Sequence, residues 1–191
     1  MAGRRESFAE RRERRAAVDD PQVVLEAAGR FLEARSRSVY EVRRRLGSAG
    51  YRADLIEDAV GKLIEFGMLD DETFARSWVE SRDRARPRGE RAIREELRLK
   101  GIDRSVMETV LADRRSEGAT VDADDMAVSV DRAAAERLIV KHERALARVV
   151  DPRQRRQRAY ALLARNGFDP EVCRDVAASV VVEADPEVVS E

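Results

Sequence analysis

Val42-x3-Leu46-x3-Gly50-Tyr51 recurs along the chain as Ile93-x3-Leu97-x3-Gly101-Ile102 and again as Ala159-x3-Leu163-x3-Gly167-Phe168. Each copy has an apolar residue, a second four positions on, a glycine four later, and a large apolar residue directly after it. Apolar residues at i and i+4 share one face of a helix. A glycine just past the last turn fits the position where the backbone turns left-handed and a Cβ is penalised. The large residue behind it can fold back on that turn. The motif therefore reads as the end of an amphipathic helix, met three times.

A second helix follows each glycine in register. Five and six residues on stand Leu55-Ile56, Val106-Met107 and Val172-Cys173; nine and ten residues on stand Ala59-Val60, Val110-Leu111 and Val176-Ala177. This is one apolar stripe at helical period. Asp103 and Asp169 are suited to cap two of these helices, Pro170 suits a first turn, and Ser38 with Glu41 forms a capping box ahead of the first motif. A longer helix precedes each pair. The first covers 22–34, with Val24, Leu25, Ala28, Phe31 and Leu32 inward. The second follows Leu69-Asp70-Asp71-Glu72, with Phe74, Trp78 and Ser81 inward. The third covers 125–148, with Val128, Ala135, Leu138, Ile139, Ala145 and Leu146 inward. The glycines stand 51 and then 66 residues apart, and the excess falls on an acidic stretch before the third copy.

The expected fold is all-α: three tandem three-helix repeats forming an elongated, curved, solenoid-like rod. The expected organisation is a disordered or frayed basic segment at 1–20, repeats at 21–68 and 69–116, an acidic linker at 117–126, a third repeat with a long first helix at 127–182, and a disordered acidic tail at 183–191. No stretch reads as a strand.

The net charge of -1 conceals segregation. Residues 117–131 carry five acids and no base, 132–168 ten bases against three acids, and 169–191 one base against seven acids. The field is local, so a near-neutral total does not exclude an anionic partner. Of 37 basic residues only Lys62, Lys100 and Lys141 are lysine; the rest are arginine, whose planar fork matches carboxylate and phosphate. Cys173 is the single cysteine, which precludes an internal disulfide and fits a reducing cytoplasm. No apolar run approaches a membrane span, and the N-terminus lacks a signal core.

No phosphate-binding loop, nucleophile elbow or zinc-protease motif is present, which argues against an enzyme and for no cofactor or metal. His142 lies on a polar helix face between Lys141 and Glu143. Cys173 falls in the apolar column of Ile56 and Met107 and reads as a buried hydrophobe. Asp70-Asp71-Glu72 reads as a helix start rather than a cation site. Trp78 reads as core, with a partner-facing role as the other reading. The arginine sets are the functional candidates. Arg88, Arg91, Arg94 and Arg98 lie near one face of the helix ending at Gly101; Arg43, Arg44 and Arg45 lie on its counterpart in the first repeat; Arg153, Arg155, Arg156 and Arg158 open the counterpart in the third. Equivalent helices of a repeat protein line one side, which would make these a positive groove wall. The competing reading is a solvated face paired with Glu90, Glu95 and Glu96.

Several stretches resemble the RecX family. Phe31-Leu32-x2-Arg35-Ser36-Arg37-Ser38 with Glu41 and Leu46 resembles the start of its core. Phe66-Gly67-Met68-Leu69-Asp70-Asp71-Glu72-x-Phe74-Ala75 resembles its inter-repeat junction. Arg82-x5-Arg88-Gly89 and Ile93-x2-Glu96-Leu97-x2-Lys100-Gly101-Ile102 resemble its second repeat. The resemblance spans about 22–180 and is densest over 31–111. It implies a cytoplasmic regulator with no active site of its own. Such a protein binds RecA, chiefly its DNA-bound filament, and suppresses strand exchange and the linked ATP hydrolysis, modulating recombinational repair. It acts from the filament groove or by blocking growth of the filament end. The partner-binding candidates, toward RecA or DNA phosphate, are then Arg43, Arg44, Arg88, Arg91, Arg94, Arg98, Arg155, Arg156 and Arg158, on a monomer. The alternative is a helix-turn-helix-like protein that binds single- or double-stranded DNA directly through phosphate contacts.

Overall fold

The computed structural model describes residues 6–117, 120–121 and 127–180. The expected tail at 183–191 and most of the acidic linker lie outside the described residues. Ten helices are described: α1 (Phe8–Ala16), α2 (Pro21–Glu33), α3 (Val39–Ala49), α4 (Ala53–Glu65), α5 (Asp71–Ala85), α6 (Glu90–Leu99), α7 (Arg104–Glu117), α8 (Val130–Ala147), α9 (Pro152–Arg165) and α10 (Pro170–Ala178). The class is all-α, and α2–α4, α5–α7 and α8–α10 are the three repeats. β1 (Thr120–Val121) and β2 (Ala127–Val128) form a two-residue antiparallel pairing ahead of α8 that sequence reading does not find. Two residues per strand are too few for a periodic signal to form.

Caps set the helix starts. Ser38 and Glu41 close their capping box. Asp103 accepts from the Ser105 N–H at 2.8 Å, Asp169 from the Glu171 N–H at 2.9 Å, and Asp70 from the Glu72 N–H at 2.8 Å. Gly50, Gly101 and Gly167 all have positive φ at the ends of the three middle helices.

The apolar columns are the core. Val42, Leu46, Leu55, Ile56, Ala59 and Val60 are buried in the first repeat, with Val24, Ala28 and Leu63. Ile93, Leu97, Ile102, Met107, Val110 and Leu111 are buried in the second. Ala159, Leu163, Phe168, Cys173, Val176 and Ala177 are buried in the third, against Ala134, Ala135 and Leu138. On α5 the inner face is Phe74, Ala75 and Val79; Trp78 is half-buried and Ser81 is exposed. Ala145 is also exposed, and Leu146 beside it is buried. Helical phase explains both shifts, since one residue is a rotation of about 100°.

The chain divides into two compact units, Met1–Arg76 with Leu97–Val106, and Ser77–Glu96 with Met107–Glu191. Helices α5, α6 and α7 each contribute to both. Within the first unit the start of α3 meets the end of α6: Ser38 Oγ donates to Lys100 O at 2.6 Å, and Lys100 Nζ donates to Glu41 Oε1 at 2.6 Å. Within the second, the start of α6 meets the end of α9: the Gly89 N–H donates to Asn166 O at 3.0 Å and Arg88 Nη1 to Asn166 Oδ1 at 2.7 Å. In both, the positive end of one helix dipole faces the negative end of the next. A Cβ on Gly101 would overlap the Tyr40 side chain, and one on Gly167 would overlap Ala92. The glycine that ends each of these helices is thus also where the previous repeat's middle helix sits down.

The expected disordered or frayed segment at 1–20 contains a formed helix. α1 opens on a second capping box, Ser7 with Glu10, and its Arg12 packs against Gly50 where a Cβ would overlap it. α1 therefore occupies, against the first repeat, the position that a preceding repeat's middle helix holds at Gly101 and Gly167. Composition does not reveal this docking because an Arg/Glu-rich helix with no buried residue of its own has no apolar stripe to find.

A buried ion cluster fastens the second unit. Arg114, 4% exposed in its side chain, donates to Asp83 at 2.9 Å twice and to Asp131 at 2.7 Å. Asp131 also accepts the Glu90 N–H at 3.0 Å. One carboxylate in the first turn of α8 thereby holds the starts of both α6 and α8. Burial opposes the Arg114 charge, yet the two aspartates more than compensate, and its guanidinium is held above the usual range.

Candidate partner-binding surface

The nine sequence-selected arginines separate by what holds them. Arg155 is buried: its Nε donates to Val149 O at 3.0 Å and its Nη2 to Val150 O at 3.3 Å. It ties α9 to the chain entering it and presents no charge to a partner. Its helical phase, one residue from Arg156, turns it to the same side as buried Ala159. Arg94 lies between Glu90, at 2.9 Å, and Glu108; hydrogen bonds to Glu108 and Glu90 outweigh desolvation and hold its guanidinium above the usual range. Arg88 is committed to Asn166, with Glu96 at 3.8 Å.

The others face solvent. Arg43 is bidentate to Glu57, at 2.9 and 2.7 Å, but both partners are about half exposed. Such a pair contributes only ~0.2–1 kcal/mol, so a stronger anion competes for it. Arg44 lies over the Tyr40 ring at 5.7 Å. Arg91, Arg98, Arg156 and Arg158 are exposed; Arg91, Arg156 and Arg158 make no ion pair among the described residues. Arg43, Arg44 and Arg98 thus belong to the first compact unit and Arg91, Arg156 and Arg158 to the second, with Arg156 and Arg158 on different faces of α9.

Sequence reasoning passed over one surface. Ile64, Phe66 and Met68 are 48%, 67% and 55% exposed around the turn that ends α4. Only Leu69 of that stretch is needed by the core, where it is 2% exposed. The signal was present in Phe66-Gly67-Met68-Leu69, three large apolar residues across a turn that requires only one. Exposed aromatic and Met side chains in a cluster are favoured anchors for a protein partner.

Trp78 is half-buried, donating from Nε1 to Glu96 Oε2 at 2.8 Å under the Arg82 guanidinium, 4.2 Å from its ring. His142 Nδ1 donates to Leu138 O at 2.9 Å on its own helix. Cys173 is buried; desolvation, with Asp169 nearby, pushes its thiol up and away from reactivity. Among the described residues no three His, Cys, Asp or Glu side chains converge as metal ligands, and no helix is long and apolar enough to cross a membrane.

Comparisons with known proteins agree with this architecture. Residues 25–63 match the family model described as RecX, first three-helix domain, and residues 70–111 that described as RecX, second three-helix domain. A regulatory protein RecX of Mycobacterium sp. (strain JLS) is 33% identical over 77% of this chain and 75% of its own length. One from Mycobacterium ulcerans (strain Agy99) is 33% identical over 82% of this chain and 84% of its own. The crystal structure of RecX from Lactobacillus salivarius superposes with a TM-score of 0.67 at 21% identity, covering 84% of this chain and 96% of that one. At that identity the likeness speaks to fold alone.

Proposed function

The chain belongs to the RecX family, and from that premise we propose that it is a non-catalytic regulator that binds the RecA recombinase and its DNA filament and inhibits its strand exchange and ATPase activities. Its relatives carry the name of regulatory proteins, and RecA as target is what membership implies. The observation that carries the reading to this chain is that Arg91, Arg156 and Arg158 are exposed and make no ion pair among the described residues. Such forks bind carboxylates of a protein surface or phosphates of its DNA, and charge complementarity speeds encounter. Ile64, Phe66 and Met68 supply an apolar anchor of the kind that arginines alone do not. The protein acts as a cytoplasmic monomer.

The test is the DNA-dependent ATPase of RecA titrated with purified protein. The wild type should inhibit at or below stoichiometric amounts. The triple reversal Arg91→Glu, Arg156→Glu, Arg158→Glu should require about tenfold more protein, a loss of about 1.4 kcal/mol. Full inhibition by a folded triple variant would remove the arginine surface from the reading. No inhibition by the wild type would remove RecA itself. The direct DNA-binding alternative requires tight binding to DNA alone together with no inhibition of the RecA ATPase by the wild type.

A further inference from the structure

The docking of α1 forms an open-sided cavity of about 530 Å³ between α1, α2 and α3. Four arginines line it: Arg11 and Arg15 from α1, Arg30 from α2 and Arg45 from α3. No acid lines it. Among the described residues, Arg30 alone of the four has a carboxylate within reach, Glu26 at 3.8 Å on the exposed side of its own helix. The aromatic residues of the neighbourhood converge on the same space. Phe8 is 64% exposed at its rim, Tyr51 lies under the Arg15 guanidinium at 5.8 Å, and Phe31 lies under that of Arg45 at 5.7 Å.

This concentration of like charge is not explained by stability. Behind Phe31, Arg37 stacks on the same ring at 4.2 Å, and its Nε is buried with no hydrogen-bond partner. Burial, together with the neighbouring Arg35 and Arg45 charges, holds that guanidinium below its usual range. Folding therefore gathers guanidiniums around three aromatic rings with only Glu26 beside Arg30 and Glu41 near Arg37, neither of them lining the cavity, in contrast to the close carboxylates on Arg114 and Arg94. An anionic ligand with a flat aromatic part would satisfy both features at once.

We propose that this α1–α2–α3 cavity is a binding site for single-stranded nucleic acid, taking a base against Phe8 and Tyr51 and the flanking phosphates on Arg11, Arg15, Arg30 and Arg45. Base stacking on aromatic residues beside a cationic groove is how strands are held without sequence preference. An acidic peptide would use the arginines but leaves the exposed Phe8 ring and the ring-lined wall without a planar counterpart. The site shares no residue with the surface assigned to the recombinase, and its test contains no recombinase, so the two readings fail separately.

The experiment is fluorescence anisotropy of the full chain with a labelled short oligothymidylate across a salt series, alongside an abasic strand of the same length. The double variant Arg11→Ser, Arg30→Ser should bind about tenfold more weakly. Its dependence of log affinity on log salt should be shallower by about 1.4, for about 0.7 per lost phosphate contact. Phe8→Ala should weaken oligothymidylate about tenfold and leave the abasic strand unchanged, a difference that a charge-only surface does not give. Both variants replace exposed side chains, and circular dichroism confirms their helicity. Three results would overturn the proposal: no binding by the wild type, variants that bind with unchanged affinity and salt slope, or a glutamate-rich peptide that displaces the strand from wild type more effectively than unlabelled oligothymidylate does.

Discussion

The two places where successive repeats meet share one backbone arrangement and differ in chemistry. Where α3 meets α6, side chains make the contact: the Ser38 hydroxyl on Lys100 O, and the Lys100 ammonium on Glu41. Where α6 meets α9, backbone makes it: Gly89 lies against Gly167, its N–H on Asn166 O, and a Cβ at Gly89 would overlap the Gly167 carbonyl. The head-to-tail setting of helix ends is what the repeats conserve between the two junctions. A junction built on side chains can adjust by rotamer changes; one built on backbone contact cannot.

At each junction a first-turn carboxylate takes a backbone N–H, Asp71 that of Val39 and Asp131 that of Glu90, but among the described residues only Asp131 is paired with a buried cation, so removing that cation should have the largest effect. Arg114→Leu leaves Asp83 and Asp131 without their cation and the Glu90 N–H on a repelled carboxylate. The expected loss is about 3 kcal/mol, the lower end for a broken buried pair because both carboxylates keep some exposure. Urea unfolding measures it, and a loss under about 1 kcal/mol would mean the cluster is merely tolerated.

The glycines give a graded test of the same contrast. Gly89→Ala places a methyl group into the Gly167 backbone and should cost about 2–3 kcal/mol through overpacking. Gly67→Ala provides the control. Gly67 has φ +67, but nothing lies within 4 Å of an added Cβ, so only left-handed strain applies, about 1 kcal/mol. Equal thermal shifts for the two variants would show that close approach contributes nothing at the junction.

The smallest effect is a pH dependence confined to the first junction. Burial opposes ionisation of Glu41, but the Lys100 ammonium, the Ser38 N–H and Arg35 outweigh it and hold its carboxyl below the usual 4.5. A depressed carboxyl contributes stability above the unfolded value and loses it as pH falls through the folded one. Glu41→Gln should therefore be less stable than wild type near neutrality, by about 1 kcal/mol, with the gap closing below about pH 4.5. Asp71, which accepts the Val39 N–H at 2.9 Å, is pushed up by burial and contributes the opposite slope. A gap between wild type and Glu41→Gln that is constant from neutrality to acid would rule out the Lys100 pairing as the source.

Legibility followed the range of the interaction. Helix ends, caps and apolar columns were readable because each depends on residues within a turn or two: Leu46 with Gly50, Ser38 with Glu41, Ile56 with Val60. The arginine face was readable only as a set. That Arg155 is interior, Arg94 neutralised and Arg156 open depends on carbonyls and carboxylates six to fourteen residues away, or on the other side of a helix. The docking of α1 was not legible for the same reason: its partner, Gly50, lies in another helix, and its composition carries no apolar signal.

The sequence by itself determined three repeats of one helical pattern, the glycine ending each middle helix, and the residues of each core. Those follow from local backbone energetics and from burial at fixed period. Only the tertiary structure decided what each glycine is for beyond its turn, which charges remain available, and that α1 forms one wall of a cationic, aromatic cavity on the first repeat. Those outcomes rest on which surfaces meet across long sequence separations, and no local spacing encodes that choice.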